Sequence, residues 1–409
     1  MTADRTTRLT GVRVVAPSIL VASVLGYLLL VVVGRALGPE QFGAFAGLWG
    51  LLFLLSGLLS PLEQETGRAV AASGLDDPLR RSLTRSALTF GGAAAVSTCV
   101  VGLATINSVF DGQPFLVLVL AASTFLIAWQ FTVRGILLGL RRTNGYAGMV
   151  VLEAVVRMAL VLFALVAFEG VVAPTVAISA GALAWLPWSR VLRPVHVVHS
   201  PENHGTRTRR RDVGWLVIAA GCTAALVTGF PAIVRIAIPD VATTQLGVLL
   251  ATLTITRVPL LAYGSVQGLL TPHLTRLGMA GDDADRHFLR QLLIGLGGIG
   301  TVTVLVAAWL GPWVLRLLYG SGYEASHTAF AWLTASAVLL TVLLSLASAL
   351  VARGLHPRVA LAWLATLGTT LVSLRYLPGA VEDRIEWALV LGPAVGIGVT
   401  GRLLRTPAR

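Results

Sequence analysis

The chain has 409 residues, of which 56% are hydrophobic and only 12% charged, and its mean hydropathy is +0.81. That balance excludes a soluble globular domain and points to a polytopic membrane protein. The formal charge of +12 would suggest nucleic acid in a soluble chain, but its placement along this sequence explains it otherwise.

A hydrocarbon core of ~30 Å takes about 20 residues of helix to cross. Apolar runs of that length fall at roughly 11–36, 43–62, 86–109, 115–138, 147–168 and 171–192. Six more lie at roughly 213–237, 245–271, 291–310, 327–352, 358–377 and 386–404. The expectation is an all-α polytopic integral membrane protein with about twelve transmembrane helices. The first run exceeds the ~7–15-residue core of a signal peptide and lacks a small-residue cleavage site, so it counts as a helix.

Basic residues stay on the cytoplasmic side of a bilayer. Arg5, Arg8 and Arg13 precede the first run, and the even connections carry Arg80, Arg81 and Arg85, then Arg141 and Arg142, then Arg207, Arg209, Arg210 and Arg211. Arg276, Arg286, Arg290, Arg353, Arg358, Arg402, Arg405 and Arg409 continue the pattern. The odd connections hold Glu40, Asp111, Glu169, Asp240, Glu324, Glu382 and Asp383. Both termini are therefore expected in the cytoplasm, with the chain in the inner (plasma) membrane, and the basic excess calls for no nucleic acid. All 31 basic residues are arginine, a compositional bias and not a chemistry.

The polar stretch from Arg193 to Asp212 divides the runs six and six. It predicts a six-helix N-terminal lobe over 1–192, a basic cytoplasmic linker over 193–212 and a six-helix C-terminal lobe over 213–409. The linker's arginines suit anionic lipid heads. Its His196, His199 and His204 lack a cysteine or carboxylate array, so no metal site is expected. Cys99 and Cys222 lie in separate apolar runs and read as small hydrophobes. "GLGGIG" at 295–300 matches a dinucleotide fingerprint by letter only, since no strand precedes it. Small residues for close helix contact explain it better, and no cofactor is expected. Internal similarity between "QFGAFAGL" (41–48) and "QLGVLLAT" (245–252), and between 137–147 and 351–362, suggests a parallel two-lobe repeat.

Ionisable residues inside the membrane are functional candidates by default. Arg257 lies twelve residues beyond Gln245, ~18 Å along a helix, with Pro259 loosening the helix beside it. Its planar fork suits phosphate oxygens; the competing reading is an ion pair that locks two helices. Glu153 and Arg157 are spaced as a helix ion pair, open either to mutual neutralisation or to cavity lining, with Glu153 a candidate to carry a coupling proton. Gln130 and Arg134 are likewise four apart, and Arg134 is near enough to the inner boundary to snorkel. Glu63 to Arg68 end the second run, where Gln64 and Glu65 share a face with Arg68, in either an interfacial or a cavity role. Gln64, Glu65, Arg68, Gln130, Arg134, Arg157 and Arg257 are thus the candidate substrate residues, with Glu153 for coupling.

Three stretches carry a family resemblance: "GRALGPEQFGAFAGLWGLLFLLSGLL" (34–59), "TRVPLLAYGSVQGLLTPHLTRL" (256–277) and "LYGSGYEASHTAFAWL" (318–333). Together with the order of spans, they resemble the Wzx-like polysaccharide flippases of the multidrug/oligosaccharidyl-lipid/polysaccharide (MOP) exporter superfamily, whose fold the MATE transporters share. The resemblance implies two six-helix lobes opening alternately to either side, and a polyprenyl-diphosphate-linked saccharide as substrate for cell-surface polysaccharide. It departs from lipid II flippases in having twelve spans, without the two further helices of their lipid groove. An enzyme is not expected, because the external connections are short turns. A drug/cation antiporter would favour embedded acids, whereas the balance here leans basic. A non-transporting scaffold among polysaccharide assembly proteins is the remaining alternative.

Overall fold

The computed structural model describes residues 2–110, 112–192, 210–260, 263 and 282–406. All regular structure among them is helical, and nine of the helices are long and apolar enough to cross a membrane, ten if one bent pair counts as a single span. The fold is the polytopic all-α one that composition implied. The chain divides into two compact units, Met1–Ala36 with Gly47–Arg209, and Leu37–Ala46 with Arg210–Arg409. The expected linker over 193–212 lies almost wholly outside the described residues.

In the first unit α1 (Thr2–Ser73) holds the first two runs as two helices that meet at a kink, non-helical Gly38 at φ 73° and ψ 171°. A left-handed φ of this kind is open to glycine at little steric cost. Residues 37–46 of α1 pack as part of the second unit. α2 (Asp77–Ala104) starts where the Asp76 side chain accepts from the Leu79 amide at 2.8 Å, an N-cap. α3 (Pro114–Gly139) and α4 (Thr143–Ala167) follow. α5 (Val172–Ser179) then tightens into 3-10 turns at Ala180–Leu183 and Leu186–Leu192.

In the second unit, α6 (Arg210–Val227) and α7 (Phe230–Ala237) are one span bent by 82°. The sequence accounts for the break. A helix would give the Val227 carbonyl the N–H of residue 231, but residue 231 is proline and has none. α8 (Thr243–Thr256) stops one residue before Arg257, and Pro259 is the local reason. The expected eighth span is helical again at 258–260; its far end, 264–271, falls outside the described residues. α9 (Asp282–Tyr319), α10 (His327–Ala352), α11 (His356–Tyr376) and α12 (Val381–Arg405) complete the unit.

The surfaces fit lipid. On α9, Ile299, Val302, Leu305, Trp309 and Trp313 are exposed, while α10 buries Thr334, Ser336, Thr341, Ser345 and Ser348. Thr341, Ser345 and Ser348 bond the carbonyl four residues back in their own helix, so these buried hydroxyls need no outside partner.

Candidate functional site

Three helices of the first unit bring charged side chains together between them. The approach of α1 to α3 depends on glycine: a Cβ at Gly135 would lie 2.6 Å from the Glu63 carbonyl oxygen, and one at Gly139 would lie 2.7 Å from that of Gly67. With the backbones this close, the Glu63 carboxylate sits 4.0 Å from Arg134. Arg134 also pairs with Glu153 on α4, and Arg157, one turn further along α4, holds the other Glu153 oxygen at 2.6 Å. Gln130, one turn before Arg134 and 1% exposed, donates to Glu153 at 2.7 Å. The Tyr146 hydroxyl donates to Glu63 at 2.9 Å. The charged side chains are 12–15% exposed. At ~1.5 Å per residue, Arg134 lies about 8 Å from the end of α3, Glu153 about 15 Å and Arg157 about 21 Å from the start of α4.

Aromatic and small residues fix the arginines further. The Arg157 guanidinium lies over Phe53, 5.2 Å from its centroid, and that of Arg134 over Phe131 at 5.6 Å, both within cation–π range. Arg157 also runs against Gly181, where a Cβ would come within 2.6 Å of its Cγ. Among the described residues the buried Nε–H groups of Arg134 and Arg157 have no acceptor. Four of the expected residues, Gln130, Arg134, Glu153 and Arg157, thus meet in one cluster. Glu65 and Arg68 pair with each other at 2.7 Å on the outer face of α1, where Gln64 and Arg68 are exposed. Glu63 and Tyr146 also join the cluster, beyond the residues the sequence singles out. The signal for both was the Gly135/Gly139 pair, spaced one turn apart, which announces a tight helix neighbour for α3.

Arg257 stands elsewhere and does something else. It is 7% exposed, caps the end of α8, and gives its terminal nitrogens to the carbonyls of Val227 and, at 2.9 Å, Leu226. These are the carbonyls orphaned by the α6/α7 break. The fork expected to face phosphate, or a carboxylate on another helix, faces the open end of a helix instead, which is negative by its dipole. Arg384 does the same for the α11 carbonyls of Leu374 and Arg375. The second unit also holds a cavity of about 330 Å³ lined by Gln245, Thr252, Glu324, Glu382 and Glu386 among others, with Gln245 donating to Glu382 at 2.5 Å. Among the described residues no group of three or more histidine, cysteine or carboxylate side chains could hold a metal ion.

The Mycobacterium tuberculosis protein Rv3630, an uncharacterized protein, is 32% identical over 391 residues, 93% of this chain and 88% of that one. Rv1510, also uncharacterized and from the same species, is 33% identical over 394 residues at the same coverage. The chain belongs to their family. No family model matches it. An inward-facing multidrug resistance MATE family transporter of the MOP superfamily superposes with a TM-score of 0.70 at 16% identity, over 94% of each chain. An outward-facing conformation of a transporter so described gives 0.62 at 16% identity, over 97% of this chain and 94% of that one. The family's fold is therefore of the MATE type.

Proposed function

We propose that this protein is a membrane transporter working by alternating access, a flippase that moves a polyprenyl-diphosphate-linked oligosaccharide from the cytoplasmic to the outer leaflet for cell-surface polysaccharide. Both termini are cytoplasmic in this reading. The observation that carries it is the buried network in which one carboxylate, Glu153, is shared by two guanidiniums, Arg134 and Arg157. The MATE-type fold supports the reading, since solved members of that fold occur in inward-facing and outward-facing conformations.

The chemistry follows from the sharing. Protonating Glu153 removes the charge that holds both guanidiniums, and a diphosphate can then take the forked contacts that the carboxylate gives up. Proton and diphosphate binding favour one another, which makes Glu153 the coupling residue and Arg134 and Arg157 the phosphate ligands. Gln130 steadies the carboxylate, and Gln64, Glu65 and Arg68 form the approach.

The test is translocation of a fluorescent polyprenyl-diphosphate sugar in proteoliposomes. Arg134→Lys and Arg157→Lys should each lower the rate per folded protein by about tenfold, because an ammonium lacks the fork. Glu153→Gln should retain substrate binding and lose the response to a proton gradient. Full rates for both lysine variants would reject phosphate recognition here. A second reading, a drug/cation antiporter, is favoured by one feature, the glutamate-lined cavity of the second unit. Its signature would be export of a cationic dye abolished by Glu382→Gln and untouched by Arg134→Lys.

A further inference from the structure

Arg134 and Arg157 share Glu153, yet they are not equivalent. Among the described residues Arg157 has one carboxylate partner, Glu153, and its other neighbours are neutral: the Phe53 ring at 5.2 Å and Gly181. Arg134 lies between two carboxylates. Its Nη2 contacts Glu153 on α4, and its Nη1 is 4.0 Å from the Oε2 of Glu63 on α1. The other oxygen of Glu63, Oε1, accepts the Tyr146 hydroxyl at 2.9 Å. On the same helix Glu65 is taken up by Arg68 at 2.7 Å, which leaves Glu63 as the carboxylate that α1 brings to the network.

The backbones cannot close the gap between Arg134 and Glu63. At Gly135 α1 and α3 already touch, where a Cβ would lie 2.6 Å from both the Glu63 carbonyl oxygen and the Thr66 Cβ. The side chains can close it. A charge-assisted hydrogen bond is ~2.7–2.9 Å long, so a shift of about 1 Å would bring the two groups into contact. Tyr146 opposes that shift by holding one of the two oxygens that a guanidinium fork would take. Glu63 is thus an acceptor in reserve, near enough to claim Arg134 once Glu153 lets go and tethered so that it does not claim it before.

We propose that Glu63 is the release residue of the diphosphate site, a tethered carboxylate that competes with the bound diphosphate for Arg134 and so limits how long the substrate stays. The inference rests on the diphosphate reading of the network. Its physical content is like-charge repulsion across one shared guanidinium: with Glu153 protonated, the diphosphate and Glu63 both approach Arg134, and each weakens the other's hold. A carrier needs that weakness, since a site must bind well enough to load and loosely enough to empty. Arg157, with no second carboxylate beside it, is the anchor, and Arg134 is the contact that gives way first.

The experiment measures binding and turnover separately on the full chain, with a fluorescent polyprenyl-diphosphate N-acetylglucosamine as probe. In detergent, Glu63→Gln keeps an acceptor for Tyr146 and loses the charge, and it should lower Kd roughly tenfold through slower dissociation. In proteoliposomes at saturating probe its turnover should fall roughly threefold, because emptying then limits the cycle. Tyr146→Phe frees both Glu63 oxygens for the Arg134 fork and should raise Kd roughly threefold; beside Glu63→Gln it should change nothing further. Glu169→Gln, at an exposed carboxylate, should leave binding and turnover at wild-type values. A Glu63→Gln variant that binds no tighter than wild type overturns the proposal, and so does a Tyr146→Phe effect that survives without the Glu63 charge. A purely structural ion pair predicts that outcome, with lower folded abundance and unchanged or weaker binding in both variants. If Glu63→Gln does not fold, the sign at Tyr146→Phe decides, and unchanged or tighter binding there overturns the proposal. Wild-type protein that does not bind the probe sinks the diphosphate reading itself, and the inference with it.

Discussion

Arg134 and Arg157 in the first unit and Arg257 in the second are the same residue type in comparable membrane-embedded positions, yet they are held by different kinds of partner. The first two face carboxylates, Glu63 and Glu153, which can gain a proton or be displaced by another anion. Arg257 faces the carbonyls of Leu226 and Val227, which can do neither. A guanidinium bound to a titratable partner is a switch in waiting, and one bound to a helix end is a rivet. What separates the two is therefore the identity of the acceptor, which depth in the membrane does not report.

The largest effect expected from this difference is at Glu153. Glu153→Leu strands two buried guanidiniums, and removing one partner of a buried pair costs ~3–5 kcal/mol; folded protein in the membrane should fall severely. Glu153→Gln leaves an oxygen acceptor for them and should fold far better. Fluorescence-detected gel filtration of the two variants measures this directly. Similar abundance for Leu and Gln would mean that Arg134 and Arg157 find other acceptors and that Glu153 is not the node of the network.

The same contrast explains what could be read from the sequence and what could not. The all-helical class, the positions of most spans and the pairing of Glu153 with Arg157 were legible because they depend on hydropathy and on the i,i+4 spacing, both local. The link from Gln130 and Arg134 to Glu153 crosses between helices, so the sequence offered the residues without their partner. For Arg257 the sequence offered the residue without its acceptors, because a charge in an apolar run says that a partner exists and not which one. The clue lay on the preceding span, in Gly229 and Pro231, which open the end of α6. Glu63 and Tyr146 were hidden for the same reason, since the close α1–α3 contact that joins them to the cluster is written in glycines and carries no charge.

A middling effect is expected from Gly181, which bears no charge but shapes one side of the network. A Cβ there would lie 2.6 Å from Arg157 Cγ, so Gly181→Ala must push the arginine off its carboxylate or off Phe53, an overpacking cost of ~1–3 kcal/mol. Translocation per folded protein should drop along with melting temperature. Adding Phe53→Leu, which opens space on the other side of Arg157, should recover part of both. A Gly181→Ala variant with wild-type rate and melting temperature would show that the Arg157 position is not constrained from this side.

The smallest effect tests the rivet, and it is a coupling and not a single loss. Arg257→Ala removes two charge-assisted hydrogen bonds from carbonyls that the break in α6/α7 leaves open; bonds of this kind contribute about 1.5–3 kcal/mol. The Val227 carbonyl is open because residue 231 is a proline. Pro231→Ala returns the missing N–H, so the chain gains an internal way to satisfy the same oxygen that Arg257 now serves. If capping is what Arg257 does, its loss should hurt less when Pro231 is alanine, and the double-mutant cycle should show an interaction of roughly 1 kcal/mol, within the usual range for groups sharing one hydrogen-bond partner. Arg134→Lys, which belongs to the other kind of arginine, should show no interaction with Pro231→Ala. Strict additivity of Arg257→Ala and Pro231→Ala in melting temperature would separate the arginine from the break, and would return Arg257 to the candidate phosphate ligands.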